Sequence, residues 1–218
     1  MAKKTAAKPA TAKKAVKKTK KSTPATPKGF VILSEVAELF RLPPTLKSEE
    51  ASKTTTVKVV TTYDIKDDGF ADTTAKTMKL TKETLAKTKK FYVSPYDIII
   101  SAAGTIGKTA IIPETLKGNI FPITTLLVIR FKENKKEQAK AMLLYLKSDA
   151  GKKEIKKMIT GKTIKILNIG TMAKMKVPAL TADVKKKALS TFTKIQNLYK
   201  KINDTKADIA EIQASYWK

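Results

Sequence analysis

The chain has 218 residues, and its 45 Lys and Arg residues against 19 Asp and Glu residues give a formal net charge of +26. It contains no cysteine and no histidine, which excludes disulfides, thiol nucleophiles, zinc fingers and histidine-based acid–base catalysis. We predict no catalytic residue, metal site or cofactor, and no apolar run approaches the roughly 20 residues that cross a membrane. The excess of positive charge indicates an anionic polymer as partner, nucleic acid first. Genome base composition is an alternative source of so many lysines.

The first 28 residues form a basic segment built of Ala, Lys, Thr and Pro, with ten lysines and no acidic residue. Such a composition cannot bury apolar surface, so we predict a disordered tail. The tail is expected to bind DNA phosphates without sequence preference, chiefly through Lys13, Lys14, Lys17, Lys18, Lys20 and Lys21. A solubilising or targeting tail is the alternative interpretation.

Residues 29–180 are long enough for one compact α/β (α+β) domain. Ser34 is a candidate cap for a short helix over Glu35–Phe40, and Ser148 for a helix over 149–160 that Gly161 would end. Helical spacing also predicts a helix over Lys135–Lys147. The Thr- and Lys-rich stretches 47–56 and 73–90 are expected to be loops or short helices. Strands are predicted near 57–62, 97–101, 109–112 and 125–131.

The centre of the domain, Tyr96–Glu114, reads YDIIISAAGTIGKTAIIPE. Two short β-branched runs flank a glycine-bearing turn, which predicts strand–turn–strand. The end of the turn resembles a nucleotide-binding loop, but Ala102 stands where the first glycine of that motif belongs. A β-branched run closed by Pro113 follows, so no helix can begin there and present its N-terminus to a phosphate. We therefore favour a turn within a sheet.

The last part of the chain, 181–218, carries an apolar seam at spacings that alternate between four and three residues. This heptad pattern predicts one long helix over 181–217 that associates with another helix, either in an identical chain or in a different protein. Packing of its near end on the parent domain is the alternative, and the two can coexist. The residues predicted to mediate association are Ile195, Leu198, Ile202, Ile209 and Ile212.

The central segment resembles the corresponding motif in target recognition domains of type I restriction-modification specificity subunits. The similarity extends over roughly residues 29–217. It includes an early strand at 57–60, an acidic turn at 63–69, a strand at 125–130, paired helices at 143–161, and Val177-Pro178 before the long helix. The resemblance implies a compact domain with a mixed sheet and short helices, followed by one coiled-coil helix. Specificity subunits usually carry two such domains and two helices, so this chain resembles half of one.

The resemblance implies that the chain binds double-stranded DNA, recognises a sequence and directs a methyltransferase, and that it is not itself an enzyme. Methyltransferase and motor–nuclease subunits would be its partners. From the basic turns of the body we predict contacts to DNA, more often to phosphate than to bases. An equally simple interpretation is that these lysines only solvate their turns. The predicted contact residues are Lys108, Lys162, Thr163 and Lys165.

Two features favour a different DNA-binding role. The family commonly has Glu-Gln before the long helix, whereas Pro178-Ala179-Leu180-Thr181-Ala182-Asp183-Val184-Lys185 contains none, and a basic tail is unusual in specificity subunits. The alternative is a stand-alone viral or nucleoid-associated protein for DNA binding or packaging. The expected location is accordingly the prokaryotic cytoplasm or nucleoid, or a virion.

Overall fold

The computed structural model describes residues 29–43, 54–74, 76–133 and 135–216. The predicted basic tail, residues 1–28, lies outside the described residues, as do most of 47–56. The described part combines several small sheets with short helices and one long C-terminal helix. This confirms the predicted fold class.

A four-stranded antiparallel sheet forms the centre of the body. Its strands lie in the order β2-β8-β5-β6. The middle strands are buried because their side chains are almost all β-branched or leucine, and Ile98, Ile99 and Ile100 are fully buried. The bounds are β2 Ala37–Phe40, β5 Ile98–Ser101, β6 Thr109–Ile111 and β8 Leu126–Phe131.

A three-stranded sheet of mixed direction lies beside the first. Its central strand β3 (Thr54–Val60) pairs antiparallel with β4 (Lys76–Thr81) and parallel with β7 (Ile120–Pro122). The prediction of loops or short helices over 73–90 is therefore wrong for β4, although the helix α2 (Lys82–Thr88) follows it. Leu80 is buried while Lys79 is exposed, so β4 is an ordinary half-buried edge strand whose Lys and Thr residues obscured its pattern.

Two short strand pairs complete the body. β1 (Phe30–Ile32) pairs antiparallel with β11 (Lys176–Pro178), which joins the two ends of the body. β9 (Ile159–Thr160) and β10 (Ile166–Leu167) form an antiparallel hairpin. The predicted helix over 149–160 ends at Met158, so the expectation that Gly161 ends a helix is wrong: Gly161 begins the turn of this hairpin.

The first helix corrects a second prediction. We expected a helix over Glu35–Phe40 capped by Ser34, whereas α1 spans only Leu33–Val36 and the chain then pairs with β8 as β2. Tertiary pairing with a central strand overrides the local helical preference. The remaining helices are α3 (Lys135–Lys147), α4 (Asp149–Met158), α5 (Ile169–Ala173) and α6 (Ala182–Tyr216).

The corner between α3 and α4 matches its prediction. The hydroxyl of Ser148 accepts a hydrogen bond from the backbone N–H of Gly151 at 3.2 Å and so caps α4. A Cβ atom on Gly151 would lie 2.0 Å from the carbonyl oxygen of Tyr145. The two helices therefore meet closely at a position that only glycine fits.

The long helix α6 has a near half that contacts the body and a far half that does not. Ala188 and Phe192 are buried and Ile195 is half-buried, whereas every residue from Lys200 to Tyr216 is exposed. At 1.5 Å per residue its 35 residues extend for about 52 Å. Among the described residues, no helix is both long and apolar enough to cross a membrane.

Candidate nucleic-acid interface

The turn between β5 and β6 is held by the side chain of Ser101. Its hydroxyl donates to the carbonyl oxygen of Thr105 at 2.5 Å and accepts from the backbone N–H of Lys108 at 2.9 Å. Gly107 adopts a φ of +93°, which favours glycine, and its N–H donates to the carbonyl oxygen of Ser101 at 2.9 Å. β6 then pairs with β5, which confirms the predicted strand–turn–strand and leaves no helix that could hold a nucleotide phosphate. The turn therefore fixes the backbone of Lys108.

The hairpin β9–β10 lies against this central turn. The backbone N–H of Leu167 donates to the carbonyl oxygen of Ala102 at 2.9 Å, which attaches β10 to the first residue of the turn. The hairpin turn itself, residues 161–165, is wholly exposed. It contains Lys162, Thr163 and Lys165, so two of the predicted basic turns are neighbours in the fold.

A cleft of about 870 Å³ opens beside the central turn. Its walls are residues 65–69 of the acidic turn, the central turn, helices α3 and α4, and the near half of α6. The charged side chains around it are mostly cationic. They are Lys66, Lys108, Lys147, Lys152 and Lys156, against Asp67 and Asp68. The charge of this surface suits an anionic ligand.

Lys147 attaches the acidic turn to α3. Its Nζ atom donates to the backbone carbonyl oxygen of Asp67 at 2.9 Å. Burial lowers the pKa of Lys147 below its ordinary value, an effect that Asp67 and Asp68 oppose. The turn is thereby held at the wall of the cleft, and its two carboxylates lie beside a cation.

Phe192 docks the long helix on the same wall. Its ring meets that of Phe70 edge-on, with centroids 5.6 Å apart, and the Nζ atom of Lys140 lies 5.1 Å from its centroid. One turn further along, the Gln196 amide donates to the carbonyl oxygen of Asp68. Phe192 was not predicted, because the heptad seam passes beside it, at Ala188 and Ile195. A helical phase that included position 192 would have revealed a second apolar stripe.

The predicted site residues thus fall into three groups. Lys108 lines the cleft, and Lys162, Thr163 and Lys165 lie on the adjoining hairpin. The six lysines of the tail, from Lys13 to Lys21, lie outside the described residues. Of the residues predicted to mediate association, Ile195 is half-buried against the body. The other four side chains are exposed: Leu198 at 59%, Ile202 at 46%, Ile209 at 50% and Ile212 at 69%. No group of His, Cys, Asp or Glu in the described part of the chain is arranged to hold a metal ion.

The sequence matches the family model of the type I restriction modification DNA specificity domain over residues 27–211. The chain belongs to this family. No curated protein matches it.

Solved structures share its fold. A chain from a study of complex assembly and conformational transition of the type I R-M system superposes with a TM-score of 0.55 at 17% identity, over 87% of this chain and 44% of that one. The HsdS subunit from Thermoanaerobacter tengcongensis superposes with a TM-score of 0.51 at 15% identity, over 83% and 40%. The chain thus spans less than half the length of either structure.

Proposed function

We propose that this chain binds duplex DNA and recognises a sequence in it, as one half of a type I restriction-modification specificity subunit. The observation that carries the proposal is the attachment of the basic hairpin at 159–167 to the central turn that positions Lys108. Lys108, Lys162 and Lys165 are all exposed, and they lie on these two adjoining turns. The role is recognition; methylation and cleavage would belong to partner subunits.

The chemistry of the cations defines how they would act. Lysine contacts phosphate as a point charge, whereas arginine is the commoner bidentate reader of guanine. Of the two arginines in the chain, Arg130 is committed to an ion pair inside the body. We infer that Lys108, Lys162 and Lys165 position the domain on the backbone of the duplex. Thr163 and the backbone of the turns are then available to base edges.

Affinity is expected to come largely from the basic tail. The tail carries ten lysines and no acidic residue. Each DNA phosphate that these lysines neutralise contributes about −0.9 to the slope of log K against log salt concentration. Binding-site selection on a random duplex library at two salt concentrations tests the proposal. We expect enrichment of a sequence that persists when residues 2–28 are deleted, although overall affinity and salt dependence fall. Enrichment of no sequence, with or without the tail, would contradict sequence recognition.

The far half of α6 is proposed to pair with the same helix of a second copy. An exposed apolar stripe on a helix is unfavourable at roughly 25 cal/mol per Å² of apolar area left in water. Charge favours an antiparallel arrangement: residues 182–202 carry six lysines and one aspartate, whereas 203–216 carry three acids and one lysine. An antiparallel two-fold pair brings the acidic end of each helix beside the basic end of its partner. Two recognition domains would then face two half-sites.

A charge placed in the seam tests this pairing. Ile202→Asp is expected to convert the dimer to a monomer in sedimentation equilibrium, because the carboxylate cannot be buried between helices. Asn203→Asp adds the same charge at an exposed position beside the seam and should leave the dimer intact. A wild type that stays monomeric at high concentration would contradict self-association.

The stand-alone DNA-binding protein remains the second candidate, supported by the basic tail and by the absence of Glu-Gln in the junction at 178–185. The two candidates differ in their partners. If the chain directs a methyltransferase, a methyltransferase subunit should co-purify with it from its native cell and the complex should modify adenine within the selected sequence. If the chain purifies without a methyltransferase subunit but still binds DNA, the result would favour the stand-alone role and a location on packaged or nucleoid DNA.

A further inference from the structure

The apex of the β9–β10 hairpin exposes a large apolar side chain. Ile164 is 78% exposed, and among the large hydrophobic residues of the described part only Tyr63 and Tyr216 are exposed more. Single exposed apolar residues are common on protein surfaces and mean little alone. The position of Ile164 is distinctive because Lys162 and Lys165 flank it in the same five-residue turn.

The backbone of the turn closes tightly around Gly161. Gly161 adopts a φ of +100°, and a Cβ atom on it would lie 2.0 Å from the carbonyl oxygen of Ile164. Only glycine allows the backbone at position 161 to approach the backbone of Ile164 this closely. At the base of the hairpin, Leu167 is buried and bonded to the central turn. The apex is therefore the end of a short hairpin whose base is attached to the body.

An apolar side chain flanked by cations fits a base step of duplex DNA, which has an apolar space between adjacent base pairs and phosphates on either side. Proteins that bend DNA insert Ile, Leu, Phe or Met between adjacent base pairs from the minor groove, while neighbouring cations neutralise the phosphates. We propose that Ile164 is such a wedge: it enters a base step when the body binds DNA, and Lys162 and Lys165 contact the phosphates on either side. The proposal rests on the DNA binding proposed above, and adds that the bound duplex is locally unstacked.

Unstacking makes the proposal measurable separately from binding. Permanganate oxidises thymines only where they are unstacked, so it can be applied to the selected duplex, or to a mixed-sequence duplex if selection gives no consensus. With wild-type protein at saturation we expect strongly enhanced thymine oxidation at the wedged step. Ile164→Ser should abolish the enhancement and weaken binding about tenfold, because an unbent duplex covers less of the protein surface. It removes no charge, so the salt slope should stay unchanged.

Matched variants separate the wedge from general effects. Ile169→Ser changes an isoleucine that is 37% exposed just beyond the hairpin, and should retain the enhanced oxidation. Lys162→Gln with Lys165→Gln should reduce the salt slope by about two, one for each phosphate that is no longer neutralised. Because Ile164 is exposed, its replacement should not alter the thermal midpoint of unfolding.

Four results would overturn the inference. A saturated wild-type complex without enhanced oxidation would show that DNA is bound but not wedged, which leaves the proposed function standing. Enhanced oxidation that survives in Ile164→Ser would place the unstacking elsewhere. Loss of binding to anionic phosphatidylserine vesicles in Ile164→Ser, with oxidation unchanged, would assign the apex to a lipid surface. Failure of the wild type to bind any duplex at low salt would contradict the proposed function and the wedge together.

Discussion

Asp97 is the only buried charged side chain in the described part of the chain, at 1% exposure. The Nη2 atom of Arg130 lies 2.6 Å from its Oδ2 atom and also donates to the carbonyl oxygen of Tyr92 at 2.7 Å. The backbone N–H of Ser94 donates to the same carboxylate at 2.7 Å. The pKa of Arg130 is raised because its guanidinium hydrogen-bonds Asp97. The pair is thus a fully connected network inside the body.

Removing the arginine should be costly. Arg130→Met leaves the Asp97 carboxylate buried without its counter-ion, so we expect the free energy of unfolding in urea to fall by about 3–5 kcal/mol. Lys157→Met breaks the surface ion pair with Glu154 and should change the free energy of unfolding by less than about 1 kcal/mol. Similar losses in the two variants would show that the Asp97–Arg130 pair does not hold the body together.

Single residues show where prediction from the sequence fails. The separation of Asp97 and Arg130 in the sequence gives no sign of their contact. Strand β5 pairs antiparallel with β8, with Ile98 opposite Ile129, and this pairing places Asp97 opposite Arg130. Gly161 fits both a helix end and a hairpin turn, because each requires positive φ. By contrast, the cap at Ser148 was predictable, since the hydroxyl acts on a residue three positions away.

At the level of elements, the strongest predictions concerned segments whose own pattern decides their structure. The apolar runs of β5, β6 and β8, the helix α3 and the long helix α6 all lie where the sequence placed them. β4 and the switch from α1 to β2 were missed because they depend on pairing with distant strands. The seam on α6 was predictable, but its division into a docked and an exposed half depends on Phe70, more than a hundred residues earlier.

This division predicts unequal effects along α6. Phe192→Ala removes a ring that is 3% exposed between the helix and the body, so the free energy of unfolding should fall by about 3–5 kcal/mol. Leu198→Ala, at 59% exposure, should leave the stability of the monomer nearly unchanged. Urea denaturation at low protein concentration, with amide exchange along the helix, measures both. Equal losses, or unchanged exchange near Phe192, would contradict docking through this residue.

For the whole molecule, the order of motifs was enough to predict the family and the fold class. Beyond the tail, the chain still carries 35 Lys and Arg residues against 19 Asp and Glu residues, so composition also predicted an anionic partner. The cleft and the attachment of the hairpin to the central turn could not be predicted. Both arise where segments far apart in sequence meet, and no local pattern records those contacts.

We propose that the hairpin binds DNA at its own position, and not merely through the net charge of the molecule. Equilibrium binding to a duplex should be compared for Lys162→Glu with Lys165→Glu and for Lys185→Glu with Lys186→Glu, which change the total charge equally. We expect the hairpin pair to weaken binding about tenfold more and to reduce the salt slope by about two. Equal losses of affinity in the two double variants would show that the hairpin acts only through net charge.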